Sequence, residues 1–187
     1  MNRIAAVVAL IVCLLGAASV SAEEIKVQID GKEVTLQRTS LNHEIKEADR
    51  KNGDQTSAMK CSFMLYDLLA KGDIEGAAKL TADPADALAT YKQYQERVGA
   101  DKLTDEAKKY FTSQNVVVAE IVLGGDIMLV IKTGAGKPSP YVAQFFQKKD
   151  DKYFLNDEAA KVLHKVLNMI LKGTFKIEAT PVTQEKE

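Results

Sequence analysis

Between Ser57 and Leu155 the apolar residues of this chain change their spacing once, and that change restricts the fold more than any other feature. From Ser57 to Phe111 they fall on a helical spacing, and from Val116 to Leu155 they fall on every second position. A spacing of three to four lines one side of a helix, and a spacing of two lines one face of a strand. Helices followed by a run of strands is an α+β arrangement, with the helices laid on the sheet.

In the helical part, Ala58, Cys61, Leu65, Leu68 and Leu69 share a face, with Met64 beside them, and Gly72 stands where a helix ends. Asp73 can cap a short helix over 74–80 that stops before Asp83-Pro84. A third helix is expected over 85–98, ending at Gly99, and Thr104 starts a fourth that runs to Phe111. Strands are expected at 116–123, 127–132, 141–148 and 153–155. Gly124-Gly125-Asp126, the loop 133–140 and Asp150-Asp151 join them, and such short joins make antiparallel neighbours.

Outside this block, Ile25, Val27 and Ile29 and then Val34 and Leu36 alternate around Asp30-Gly31, the clearest hairpin signal in the chain. Residues 37–56 are polar and read as a surface connection with one short helical turn. A last amphipathic helix is expected over 157–172, capped by Asn156 or Asp157 and ended by Gly173, with 174–179 as an edge strand. Phe145 and Phe146 are adjacent in a strand, so they face opposite sides of the sheet. One of them must turn from the main core, toward the last helix or another chain.

The first residues carry an address. Arg3 precedes an apolar run over 4–18, and Val20-Ser21-Ala22 puts small residues where signal peptidase cuts, before Glu23-Glu24. This reads as a cleaved secretory signal, too short to span a bilayer, with cleavage after Ala22 and a periplasmic or secreted destination. The expected organisation is a signal at 1–22, hairpin and connection at 23–56, an α+β domain at 57–180 and a tail at 181–187. Losing Arg3 leaves 24 basic against 26 acidic residues, a net charge of −2, which offers no attraction to nucleic acid or to an anionic membrane. Cys13 leaves with the signal, so Cys61 has no partner for an intramolecular disulfide and reads as a buried thiol.

Residues 58–158 resemble the NTF2-like (cystatin-like, cone-shaped α+β) superfamily, especially its small secreted bacterial members. The resemblance rests on a first helix ending in Leu69-Ala-Lys-Gly-Asp-Ile-Glu-Gly-Ala-Ala78, a second helical segment, and a late strand pair running from Tyr141-Val-Ala-Gln-Phe-Phe146 to Tyr153-Phe-Leu155. It implies a curved sheet wrapped by helices around a hollow, a scaffold that hosts isomerases and dehydratases as well as passive binders. Family enzymes place a carboxylate base and a Tyr inside the cone. Tyr66, Asp67, Tyr91 and Tyr94 are the polar groups here on helices that would line it. The hairpin and the last helix depart from the minimal pattern, and that helix could plug the cone or mediate a homodimer.

No sharper chemistry is legible. His43 with Glu44 and Glu47 lacks the second histidine of a zinc helix, and no further Cys or His completes a site, so neither metal nor cofactor is expected. Gly134-Ala-Gly136-Lys137-Pro138 fails as a phosphate loop, with Ile131 in place of the first glycine and Pro138 where Ser or Thr would bind magnesium. No Gly-x-Ser-x-Gly occurs. His164 falls between the two faces of the last helix. The reading is therefore a non-catalytic binding domain for an apolar ligand or another protein. The candidate contacts are Tyr66, Tyr91, Tyr94, Lys137, Ser139, Tyr141 and Phe146. An envelope immunity or inhibitor protein and a cone-pocket isomerase or dehydratase are its rivals. A cleft in which Asp67 or His164 meets a second ionisable side chain at contact distance would overturn the passive-binder reading.

Overall fold

A computed structural model describes residues 22–134, 140–156, 161–175 and 177. Most of the signal segment, Lys137 and Ser139 in the loop, the Asp157 cap, half of the expected edge strand and the tail lie outside the described residues, and Thr174 and Phe175 form a bend rather than a strand. The fold is α+β: six strands form one antiparallel sheet in sequence order. They are β1 (Ala22–Ile29), β2 (Lys32–Glu44), β3 (Val116–Leu123), β4 (Asp126–Lys132), β5 (Tyr141–Lys149) and β6 (Lys152–Leu155). Asp30 and Gly31 both take positive φ, 52° and 75°, which is what a two-residue turn of matching twist requires.

Strand β2 corrects the expectation for residues 37–44. They are not a surface connection but the second half of a 13-residue strand, paired from Gln37 to Glu44 with β3. The apolar pattern hides this because the buried positions pass from one face to the other along the strand. The register also shifts between Ser40 and His43, near a second shift between Val117 and Ala119. Leu36 faces one side of the sheet, whereas Leu41 and Ile45 face the other. Paired bulges of this kind bend and twist a sheet locally. The helical turn expected in this region is present at Glu47–Asn52.

On one face lie α1 (Ala58–Ala70), α2 (Ile74–Ala78), α3 (Pro84–Val98) and α4 (Ala100–Lys108). Side chains of Ser57, Asp73 and Asp83 accept hydrogen bonds from Lys60, Gly76 and Asp86 N–H, satisfying donors that have no partner within their own helices. Helix α4 begins four residues earlier than Thr104, because Gly99, at φ 93°, both ends α3 and starts α4. Phe63, Leu65, Leu69, Leu103, Tyr110, Phe111, Ile131 and Phe146 form the core on this side.

The other face is covered as well. In α5 (Lys161–Leu171), Leu163, Val166 and Ile170 are buried against Leu36, Ile121, Met128 and Phe145. Thus Phe145 lies under the last helix and Phe146 under α1, and the sheet separates two cores. Lys165 pairs with Asp30, tying α5 to the hairpin tip.

Candidate functional site

Helix α3 has no fully buried residue over its 15 positions, unlike α1 and α4. Its packing neighbours are α2 and α4. Its start is fixed by the segment before it: Leu155 N–H donates to Leu80 O at 2.8 Å, and Ala82 N–H donates to Leu155 O at 2.7 Å. The helix stands off the sheet, and beneath it opens a cleft of about 730 Å³. Such a volume is that of an ordinary small-molecule site. Helix α3 contributes Thr90, Tyr91 and Tyr94, α1 contributes Tyr66 and Leu69, α4 contributes Leu103, Glu106 and Ala107, and the sheet supplies Ile131, Val142 and Gln144.

The aromatic part of the wall is held flat for a physical reason. Tyr66 stacks on Tyr110 with ring centroids 3.9 Å apart and planes within 4°. Tyr110 is held from behind by a 2.5 Å hydrogen bond with Ser62 and an edge contact to Phe111. Burial, opposed in part by the Ser62 bond, keeps the Tyr110 phenol well above its ordinary pKa, so it remains a neutral wall. On the rim, the Tyr94 hydroxyl donates to Glu106 at 2.5 Å, and that bond raises the Tyr94 pKa.

Gln144 is the exception in this lining. It is 8% exposed, and its Oε1 is buried with no hydrogen-bond partner. Its strand pairing sets it opposite Leu129, and Val142 and Phe146 flank it on the same face. No neighbour there carries a donor. An acceptor left unsatisfied in such a place costs about 1–3 kcal/mol. Native interiors rarely leave one so, and those they do leave call for an explanation.

Of the residues singled out in the sequence, Tyr66, Tyr91 and Tyr94 meet at this cleft. Tyr141 lies with the α5 core on the opposite face, so the sheet divides it from the three. Phe146 is fully buried under α1 and presents no surface to a ligand. Lys137 and Ser139 lie outside the described residues, although Thr133, at the base of their loop, lines the cleft. Gln144, Glu106 and Ala107 escaped the sequence reading. A polar residue at an inward position between Val142 and Phe146 was the signal that could have found Gln144.

Ionisable groups gather elsewhere. Asp67 touches two cations, Arg50 at 3.0 Å and Lys71 at 2.5 Å, along an open cleft between α1 and the Glu47–Asn52 turn. This is the contact an enzyme reading asks for, but both partners are permanent cations. They hold a carboxylate in place and offer it no proton to exchange at neutral pH. His43 Nε2 lies 3.0 Å from Oδ2 of buried Asp49, which also accepts from Lys46 N–H. That pair is the start of acid–base machinery, yet the residues lining its opening include no Ser, Thr, Cys or Tyr to act as nucleophile. Glu44 and Glu47 pair instead with Lys46 and Arg50. Among the described residues no group of three or more His, Cys, Asp or Glu could hold a metal ion. Cys61 is buried and donates to Tyr153 O at 3.2 Å, and burial pushes its pKa up to about 12.

Comparison with protein-family models, curated proteins and solved structures finds no match to this chain.

Proposed function

We propose that this chain is an exported binding protein of the NTF2-like kind, which holds an apolar small molecule under α3 without transforming it. The carrying observation is the cleft itself. Tyrosines and aliphatic side chains make up most of its lining, with Thr90, Glu106, Lys109, Asn115 and Thr133 also bordering it, and among the described residues its buried polar atom without a partner is an amide oxygen, which has no proton to give or take. Four helices on one face of a bulged antiparallel sheet support that reading, and α5 lies on the opposite face, away from the cleft. The N-terminal address sends the mature chain, from Glu23, to the periplasm or beyond.

Besides the Asp67 and His43–Asp49 contacts outside it, the cleft itself holds a feature that favours the enzyme reading: Tyr94 and Glu106 form a hydrogen-bonded pair at the rim. The pair is exposed, and its geometry makes the phenol a donor with a raised pKa, which is the wrong direction for a base.

Two measurements test the proposal. N-terminal sequencing of the protein taken from its host should begin at Glu23. Native mass spectrometry of that protein should show a bound small molecule, lost in Thr90→Trp, which fills the mouth from an exposed position. An equal bound mass in both proteins, or none in either, contradicts the binding reading.

A further inference from the structure

We propose that the cleft selects planar aromatic ligands carrying a hydrogen-bond donor on one edge, and that Gln144 Oε1 is the acceptor that reads it. This rests on the reading of the cleft as a ligand seat and names the chemistry that fits there.

The shape argument comes from the walls. The face of the stacked Tyr66–Tyr110 pair and the rings of Tyr91 and Tyr94 on α3 both border the cleft, with Leu69, Leu103 and Ile131 filling the space between. A flat ring satisfies such surfaces, since stacked and edge contacts between aromatic groups add to the area they bury.

The polar argument comes from the one buried oxygen that the lining groups, Thr90, Lys109 and Thr133 included, leave unpaired among the described residues. The Asn115 side-chain amide already donates to Lys109 O and Tyr110 O. The Tyr94 hydroxyl is spent on Glu106 and the Tyr110 hydroxyl on Ser62. Leu129, Val142 and Phe146 surround Gln144 on the sheet and can donate nothing. The oxygen at Gln144 is buried, fixed on a central stretch of β5, and unanswered by the protein. An N–H or O–H on the edge of a bound ring is the group that completes it. A site built to accept such a bond discriminates against an analogue that lacks it, because binding then leaves the acceptor unpaired.

The test uses indole and 1-methylindole, which share one bicyclic ring and differ in the N–H. The chain contains no tryptophan, so the probe's fluorescence is separated from that of the six tyrosines by exciting at the red edge of indole absorption, where tyrosine absorbs little. Affinities are measured for the mature wild type, Gln144→Leu and Gln144→Met, each first shown to melt cooperatively. The expected result is that wild type prefers indole by roughly five- to tenfold, the worth of one neutral hydrogen bond. Both variants should lose that preference by weakening indole alone. Equal binding of the two probes to wild type overturns the donor inference and leaves the cleft as a binding site. A preference that survives in both variants overturns the role of Gln144. Binding of neither probe removes the cleft as an aromatic seat, and the inference falls with it.

Discussion

The sheet separates two cores, and adjacent phenylalanines report on them independently. Phe145 is 3% exposed beneath α5 and Phe146 fully buried beneath α1. Truncating either to alanine removes a buried ring and leaves a cavity, at a cost of about 3–5 kcal/mol. For a chain of this length that lowers Tm by about 6–20 °C. Urea unfolding followed by far-ultraviolet circular dichroism measures each loss. The more decisive quantity is the coupling between the two sites. Residues next to each other in sequence commonly interact, but these rings share no core cluster, so their effects should add to within about 0.5 kcal/mol. Because two alanines together would consume most of a typical domain's stability, the cycle is run with Phe→Leu at both positions. If Phe145→Ala costs less than about 1 kcal/mol, α5 is not a wall of a second core. If the coupling exceeds about 1 kcal/mol, the two rings belong to one core and the layered architecture is wrong.

Three further outcomes follow from particular contacts. Cys61, buried and held at a pKa of about 12, should not react with Ellman's reagent at pH 8 in the native protein and should react fully in urea; rapid native labelling would contradict its burial. Asp83→Ala removes the cap of α3 and should cost about 0.5–2 kcal/mol, with faster amide exchange in α3 but not in α1. Glu120, set opposite Leu129 on the α1–α4 face, has its pKa raised by burial. The native state therefore holds that proton more tightly than the unfolded chain. This contribution is complete below the ordinary value of about 4.5 and is lost as pH rises through the folded value. Glu120→Gln should accordingly stabilise the protein at pH 7 and have little effect at pH 4; equal urea midpoint shifts at both pH values would refute this.

How much was legible in the sequence depended on whether local pattern and tertiary placement agreed. Helix α1 declared itself through Ser57, its apolar face and Gly72, and the meander through alternation and tight turns, because each signal is contained within a few residues. The second half of β2 was hidden because its buried residues change face, from Leu36 to Leu41 and Ile45, with only polar side chains between Leu36 and Leu41. Any reading that follows one parity stops there. The start of α4 was hidden because Gly99 serves two helices at once, and a glycine is read more readily as an end than as a beginning. Three of the cleft tyrosines, Tyr66, Tyr91 and Tyr94, could be proposed from their places on helices. Their separation from Tyr141 could not, since it depends on which face each strand residue takes. Gln144 was passed over because glutamine in a strand is ordinary until its neighbours are known to offer it no donor.

The central claim is that the space under α3 is a ligand seat, and one measurement addresses it most directly. Amide and side-chain resonances of ¹⁵N-labelled mature protein are followed while indole is added. Shifts gathered at Thr90, Tyr91, Leu103, Ala107 and the Gln144 side-chain amide, with α5 unmoved, are the predicted result. Shifts scattered over the surface, or gathered at Leu163, Val166 and Ile170 on the opposite face, would contradict it.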